Sequence, residues 1–292
     1  MDEVINNELV DHLEELSTEA DHNIAIMDGV IDTVSGNEGM DLTAAQHYLH
    51  GVMYAHGAVP LNRAGNEGIL TKIKTFIQAA ILMVKEFFHK IWGFFFGDRY
   101  TREQKRLKKL LEAQISELGG VDKHRDLNPN QQRQMQLLFE AFKKKEQEHN
   151  EKLEAVFEDA NNSGKEHLQM WIEFSRHDDM VKKAMSSELD KKSYDTAGEA
   201  IEFLRNALHV NDNMGKMLSE GQKLIRMGEQ AIKIGESSLK GEEDKEKLEK
   251  GQDAMQFAKL SMRAVKILVE AMKDQVSAID HSATHLRAEY FK

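Results

Sequence analysis

The chain contains no cysteine. That excludes disulfide cross-links, a thiolate nucleophile and Cys-ligated metal sites, and it fits a reducing compartment. Proline occurs only at Pro60 and Pro129, so most of the chain is free of the residue that breaks helices most strongly. Long uncharged runs are lacking too. In the most apolar stretch, Ile69 to Gly97, the longest is Thr75 to Val84, ten residues. A membrane-spanning helix needs roughly 20. The opening MDEVINNELVDHLEEL is acidic, without the basic start and apolar stretch of a secretory leader. No G-x-x-x-x-G-K-[ST] phosphate loop occurs.

What remains is rich in Leu, Met, Ala, Glu, Lys and Gln, all strong helix formers. The expected class is all-α, and 292 residues suffice for a substantial core. The net charge of −11 is unevenly spread: between Leu70 and Leu110 ten cations face three acids, a local +7 that leaves −18 for the rest. A basic, apolar element in an acidic body points to docking within the chain, between subunits or on a membrane surface, and not to specific nucleic-acid recognition.

That element is the sequence's dominant feature. Ile73, Phe76, Ile77, Ile81, Val84, Phe87, Phe88, Ile91, Trp92 and Phe95 recur at helical steps and form one wide apolar face. Burial is worth about 1.5–3 kcal/mol per large side chain, so this face needs a covering surface. Two readings remain: a core-facing helix of a bundle, or a helix lying in a lipid interface with lysines flanking its aromatic face. Leu82 and Met83 fall on the opposite side and suggest that a second surface is covered as well.

The chain divides at Gly119-Gly120 to Pro129. The expectation is an N-terminal helical domain, 1–119, carrying the aromatic helix at 69–97, and a C-terminal bundle of long, coiled-coil-like helices, 130–292. Within the first, a helix from about Val4 to Val34 ends at Ser35-Gly36, and a second runs from Leu42 to His56. In the second, the helix after Pro129 carries the stretch KKKEQEHNEK, with almost nothing apolar to bury. Gly221, Gly228 and Gly235 then fall seven apart, and after a polar turn at Gly241 to Asp244 come Gly251, Ala254 and Ala258. Each glycine costs a helix interior about 1 kcal/mol relative to alanine, so the spacing predicts a long antiparallel hairpin whose backbones approach closely through small residues.

Site chemistry is sparse. His281 and His285 share a helix face, as do His47 and His50, but no further ligands cluster with them. Asp178-Asp179 and Glu242-Glu243 are adjacent and diverge on a helix. No catalytic residue, cofactor or metal site is expected.

The run DLTAAQHYLHGVM, followed by KIKTFIQAAILMVKEFFHKIWGFFFG, resembles the internal head or prohead-core structural proteins of large tailed bacteriophages. These often carry a segment of the type x-T-A-x-x-Y-L-x-G-M before a helix ending in W-x-x-F-F-x-x-F-F-G. The resemblance covers roughly Ile24 to Gly97; beyond Arg99 only the helical, acidic character matches. It implies a non-enzymatic virion protein, made in the host cytoplasm and packaged inside the capsid, whose partners are other virion or capsid proteins and further copies of itself. The aromatic face would be its assembly surface. It also implies trimming by a maturation protease that cuts after Glu, a pattern met by Ser17-Thr18-Glu19, Ile115-Ser116-Glu117, Ser186-Ser187-Glu188 and Leu218-Ser219-Glu220. The alternative is a protein that uses the aromatic helix on a membrane surface during delivery into a cell.

Overall fold

The computed structural model describes residues 8–35, 69–96, 122–162, 169–186, 194–238 and 245–290, with positions 102, 105, 108, 109, 112, 113, 115, 116, 120 and 189. Seven helices are delimited among them: α1 (Glu8–Ser35), α2 (Ile69–Phe96), α3 (Pro129–Asn162), α4 (Gln169–Ser175), α5 (Asp178–Met185), α6 (Ala197–Ser238) and α7 (Lys245–Tyr290). No β-strand occurs among the described residues, so the protein is all-α. The helix expected at 42–56 and the turn at 241–244 lie outside the described residues.

Two helix starts are built alike. Asn128 accepts hydrogen bonds from the amides of Asn130 and Gln131, and Gln131 Oε1 accepts one back from the Asn128 amide, each at 3.0 Å. With Pro129 at the first helical position, this is a reciprocal cap that starts α3 sharply. Thr196 and Glu199 make the same exchange at the start of α6. An antiparallel bridge between Asp126 and Thr196 ties the two starts together, with Leu127 N donating to Asp195 O at 2.8 Å and Ala197 N to Arg125 O at 3.0 Å.

The order of side-chain pairs fixes the helix directions. Going forward along α6 through Gly221, Gly228 and Gly235, the nearest atoms on α7 belong to Leu268, Ser261 and Ala254 in turn. The two helices are therefore antiparallel in a seven-residue register. The same order holds between α1 and α7: Glu14, Asp21 and Asp28 advance by seven while their partners Lys273, Lys266 and Lys259 retreat by seven. All the acids of this ladder lie on α1 and all its lysines on α7. Most of these acids are half exposed, and exposed pairs contribute about 0–1 kcal/mol each. Their main effect is to penalise every other register, while Leu9, Leu13, Leu16, Ala20 and Met27 supply the burial.

On α6, Gly228 meets Phe88 and Gly235 meets Ile81, so α2 also runs antiparallel to α6. Lys90 pairs with Glu19 and Phe94 stacks on His12, which sets α2 antiparallel to α1. Helices α1, α2, α6 and α7 thus form a four-helix bundle with antiparallel neighbours, and α3 lies outside against α7. Aromatic rings join α3, α4 and α7: Trp171 and Phe174 meet Phe257 edge to face and Phe157 lies tilted against Phe174, at centroid distances of 4.8–5.3 Å.

Helix α7 is buried on nearly every side from Ala254 to Val276, as expected of a helix that neighbours surround. Leu13 and Phe87 belong to the same buried cluster as Phe157 and Leu268. Segments 1–119 and 130–292 are distinct in sequence, yet they share this one core.

Candidate functional site

The face of α2 is the docking surface to which the sequence points. Ile77, Ile81, Val84, Phe87, Phe88 and Ile91 are each at most 2% exposed, covered by α1, α6 and α7. The partner of this face is the chain itself. In this conformation the described part of the face is closed to a second subunit or to lipid. Trp92 is partly buried, with the guanidinium carbon of Arg226 5.6 Å from its ring centroid. The side chains of Ile73, Phe76 and Phe95 lie outside the described residues. On the far side of α2, Met83 packs against the core while Leu82 stays 56% exposed.

Charge guides the same docking. Lys85 reaches Glu236 of α6 at 3.4 Å and Lys90 reaches Glu19 of α1. The basic helix is thus flanked by acids of the body.

Gly228 and Gly235 make room for this arrangement. A methyl group at Gly228 would lie 2.5 Å from Cε2 and Cζ of Phe88 and 3.0 Å from Ser261 Oγ. At Gly235 it would lie 3.1 Å from Ile81 Cδ1 and 3.2 Å from Ala254 Cβ. Gly221 is looser, with Leu268 Cδ1 at 3.6 Å. The glycine stripe therefore seats two neighbours at once, α2 on one flank and the small residues of α7 on the other. Ser261, fully buried, donates to the Leu224 carbonyl and closes the α6–α7 contact at its tightest point. Gly251, Ala254 and Ala258 are all buried, Gly251 and Ala254 beside Gly235. Gly215 is different: nothing lies within 4 Å of the place a Cβ would take. Gly215→Ala is expected to raise stability by about 0.5–1 kcal/mol, measured by denaturant unfolding, because it gains helix propensity without a steric cost.

A group that sequence reasoning missed sits on α7. Glu270 accepts hydrogen bonds from Ser17 of α1 at 3.1 Å and from Lys152 of α3 at 3.1 Å, and pairs with Lys266 at 3.1 Å. Burial pushes its carboxyl up, but the hydrogen bonds and charges of Lys266 and Lys152 outweigh that and hold it below the ordinary glutamate value. It stays ionised and ties α1 and α3 to α7. Its signal in the sequence is faint, a lone acid near two lysines on a helix.

No family model, curated protein or solved structure matches the chain.

Among the described residues, no three His, Asp or Glu side chains are placed to hold a metal ion. His281 is exposed on α7; the side chain of His285, and all of His47 and His50, lie outside the described residues. Asp178 is held by Lys182 at 3.1 Å within α5. Of the four Glu-ending tripeptides, Ser17 to Glu19 lies in mid-α1 and Leu218 to Glu220 in mid-α6. A protease needs extended backbone, so both are shielded while the bundle is folded. Ser186 follows the end of α5; Ser187, Glu188 and Glu117 lie outside the described residues.

Proposed function

We propose that this chain is a non-enzymatic structural component of a tailed-phage virion, an internal head protein that acts through protein–protein contacts. The observation that carries the reading is the register of the bundle. Helices of 42 and 46 residues, in seven-residue step with each other and with α1, make a stiff rod. At 1.5 Å per residue it is about 60 Å long. Such a rod suits a spacer or scaffold better than a deforming enzyme. The resemblance over Ile24 to Gly97 supplies the virion setting. Because the aromatic face is spent on the rod's own core, the contacts to other virion proteins fall on the polar exterior, in a chain of net charge −11.

Mass spectrometry of nuclease-treated particles, purified from cells producing them, tests this. Peptides from both α1 and α7 are expected at a fixed ratio to the capsid protein. Their absence would sink the reading.

A second reading keeps the membrane surface as partner: α2 leaves its groove and lies in a lipid interface. It is favoured by the outward-facing Lys85, Lys90 and Leu82, a basic rim with an apolar tip. Among the described residues no helix is long and apolar enough to cross a membrane. Flotation with anionic liposomes separates the two readings. Co-flotation abolished by Phe88→Asp in a variant that still folds would favour this one; no flotation at low salt would dismiss it.

A further inference from the structure

Helix α1 is alone among the five long helices in having no lysine or arginine, against eight acids. Its seat on α7 is the opposite. Lys259, Lys266 and Lys273 stand there at seven-residue spacing, 11–23% exposed, whereas the α1 acids that meet them are 49–61% exposed. The lysines are therefore the side of the ladder that water cannot satisfy. Among the described residues Asp28 is the only acid paired with Lys259, and Glu14 the only one paired with Lys273. An empty seat would strand these cations as well as the apolar surface under Leu13, Leu16 and Met27. What the seat requires is a helix with an apolar seam and acids seven residues apart.

Nothing in the connectivity requires that helix to come from the same chain. His12 stacks on Phe94 and Glu19 pairs with Lys90, which places the end of α1 beside the start of α2. Helices so placed are ordinarily joined by about 2–8 residues. Here 33 residues, 36–68, lie between them. Even with the helix expected at 42–56 inside that stretch, positions 36–41 and 57–68 can extend to about 60 Å, the length of the rod. A tether this long raises the local concentration of α1 to the millimolar range at most. A neighbouring copy at a comparable concentration then competes for the seat on equal terms, because α1 of either chain makes the same contacts. The order of synthesis adds to this. Helix α1 is complete more than 200 residues before α7 begins, so α7 of one chain emerges where α1 of others is already present.

We propose that α1 is exchanged between copies: α1 of one chain seats against α7 and α2 of a second, whose own α1 returns the contact, closing a two-chain unit. Both seats are filled and every α1 contact of the single chain is kept, so the cost is that of bringing two chains together. The partner is a second copy of this chain, met at crowded concentrations. The proposal rests on the ladder between α1 and α7 and stands whether or not the chain belongs to a virion.

Carbodiimide cross-linking tests it on the parent chain, since the reagent joins lysines to carboxylates already in contact, as Asp28 and Lys259 are at 2.6 Å. Equal amounts of isotope-labelled and unlabelled chain are unfolded together, refolded at about 1 mM or at about 10 µM, and cross-linked. At the higher concentration the peptides that join α1 to α7 should include mixed-isotope pairs in abundance similar to same-isotope ones. At the lower concentration mixed pairs should fall about tenfold or more. Same-isotope pairs alone at both concentrations, or no α1–α7 pairs at all, would overturn the proposal. Charge reversal then identifies α1 as the exchanged element. Glu14→Lys with Asp28→Lys in one chain, and Lys259→Glu with Lys273→Glu in another, set like charges together within each chain and opposite charges between chains. Refolded together they should form a one-to-one dimer that melts above either variant alone, and the chain carrying all four substitutions should return to a monomer at about 10 µM. A mixture that stays monomeric while the fourfold variant melts like the parent would overturn the proposal equally; if the fourfold variant fails to fold, the cross-linking outcome decides alone.

Discussion

Phe88→Ala is expected to lower the unfolding free energy by about 3–5 kcal/mol, the range for deleting a fully buried aromatic ring. Phe88 is 0% exposed and rests against the bare backbone of Gly228, so little of the structure can collapse into the space it leaves. The partner substitution sharpens the test. In the parent chain Gly228→Ala puts a methyl 2.5 Å from the Phe88 ring. Overpacking of about 1–3 kcal/mol then outweighs a helix-propensity gain of about 1 kcal/mol, and the variant should be destabilised. In the Phe88→Ala background the ring is gone and only Ser261 Oγ, 3.0 Å from the methyl, still has to give, so the same substitution should cost clearly less than in the parent. Denaturant unfolding of all four chains gives the coupling, expected at about 1–3 kcal/mol. Equal effects of Gly228→Ala in both backgrounds would mean that α2 does not sit in the glycine groove.

Glu270→Ala is expected to cost about 2–4 kcal/mol at neutral pH. This lies somewhat below the roughly 3–5 kcal/mol for breaking a fully buried pair, because Lys152, 55% exposed, still reaches water. Lys266 would keep Asp21 but lose its buried partner. The sign of the pH dependence follows from the depressed carboxyl. A group whose folded pKa lies below its unfolded value adds stability above the ordinary glutamate range, about 4.3, and loses it as pH falls through the lower folded value. Asp274 is shifted the same way: burial raises its carboxyl, and the His149 hydrogen bond and the Lys145 charge more than reverse that. The gap between parent and Glu270→Ala should therefore be full at pH 7 and shrink on acidification below that range. A gap unchanged down to pH 3 would contradict the ion-pair account.

The class of fold and the two conspicuous stripes were legible because they are local. Helical spacing of Ile77 to Ile91 and seven-residue spacing of Gly221 to Gly235 are periodicities within single helices, readable without knowing any neighbour. What covers the aromatic face was not readable, since apolar attraction has no direction and any complementary surface would serve. Nor was it apparent that the glycines seat Phe88 and Ile81 as well as α7. The ladder between α1 and α7 was present in the numbers, with acids at 14, 21 and 28 and lysines at 259, 266 and 273. Each spacing alone resembles ordinary solvated charge, and only pairing across more than two hundred residues gives it meaning. The stretch KKKEQEHNEK, expected to find little to bury, still packs His149 against α7, 5% exposed and 3.1 Å from Asp274, a contact that no periodicity within α3 announces.

The placement of α7 at the middle of the bundle bears on how the chain is made. Helix α2 leaves the ribosome about 150 residues before α7, the last of the three helices that cover it, begins to emerge. At about 5–20 residues per second this leaves an interval of roughly 8–30 s with the greasiest segment only partly sheltered. Holding chaperones or early self-association then decide yield, and messages translated faster through the middle of the gene should give more soluble product.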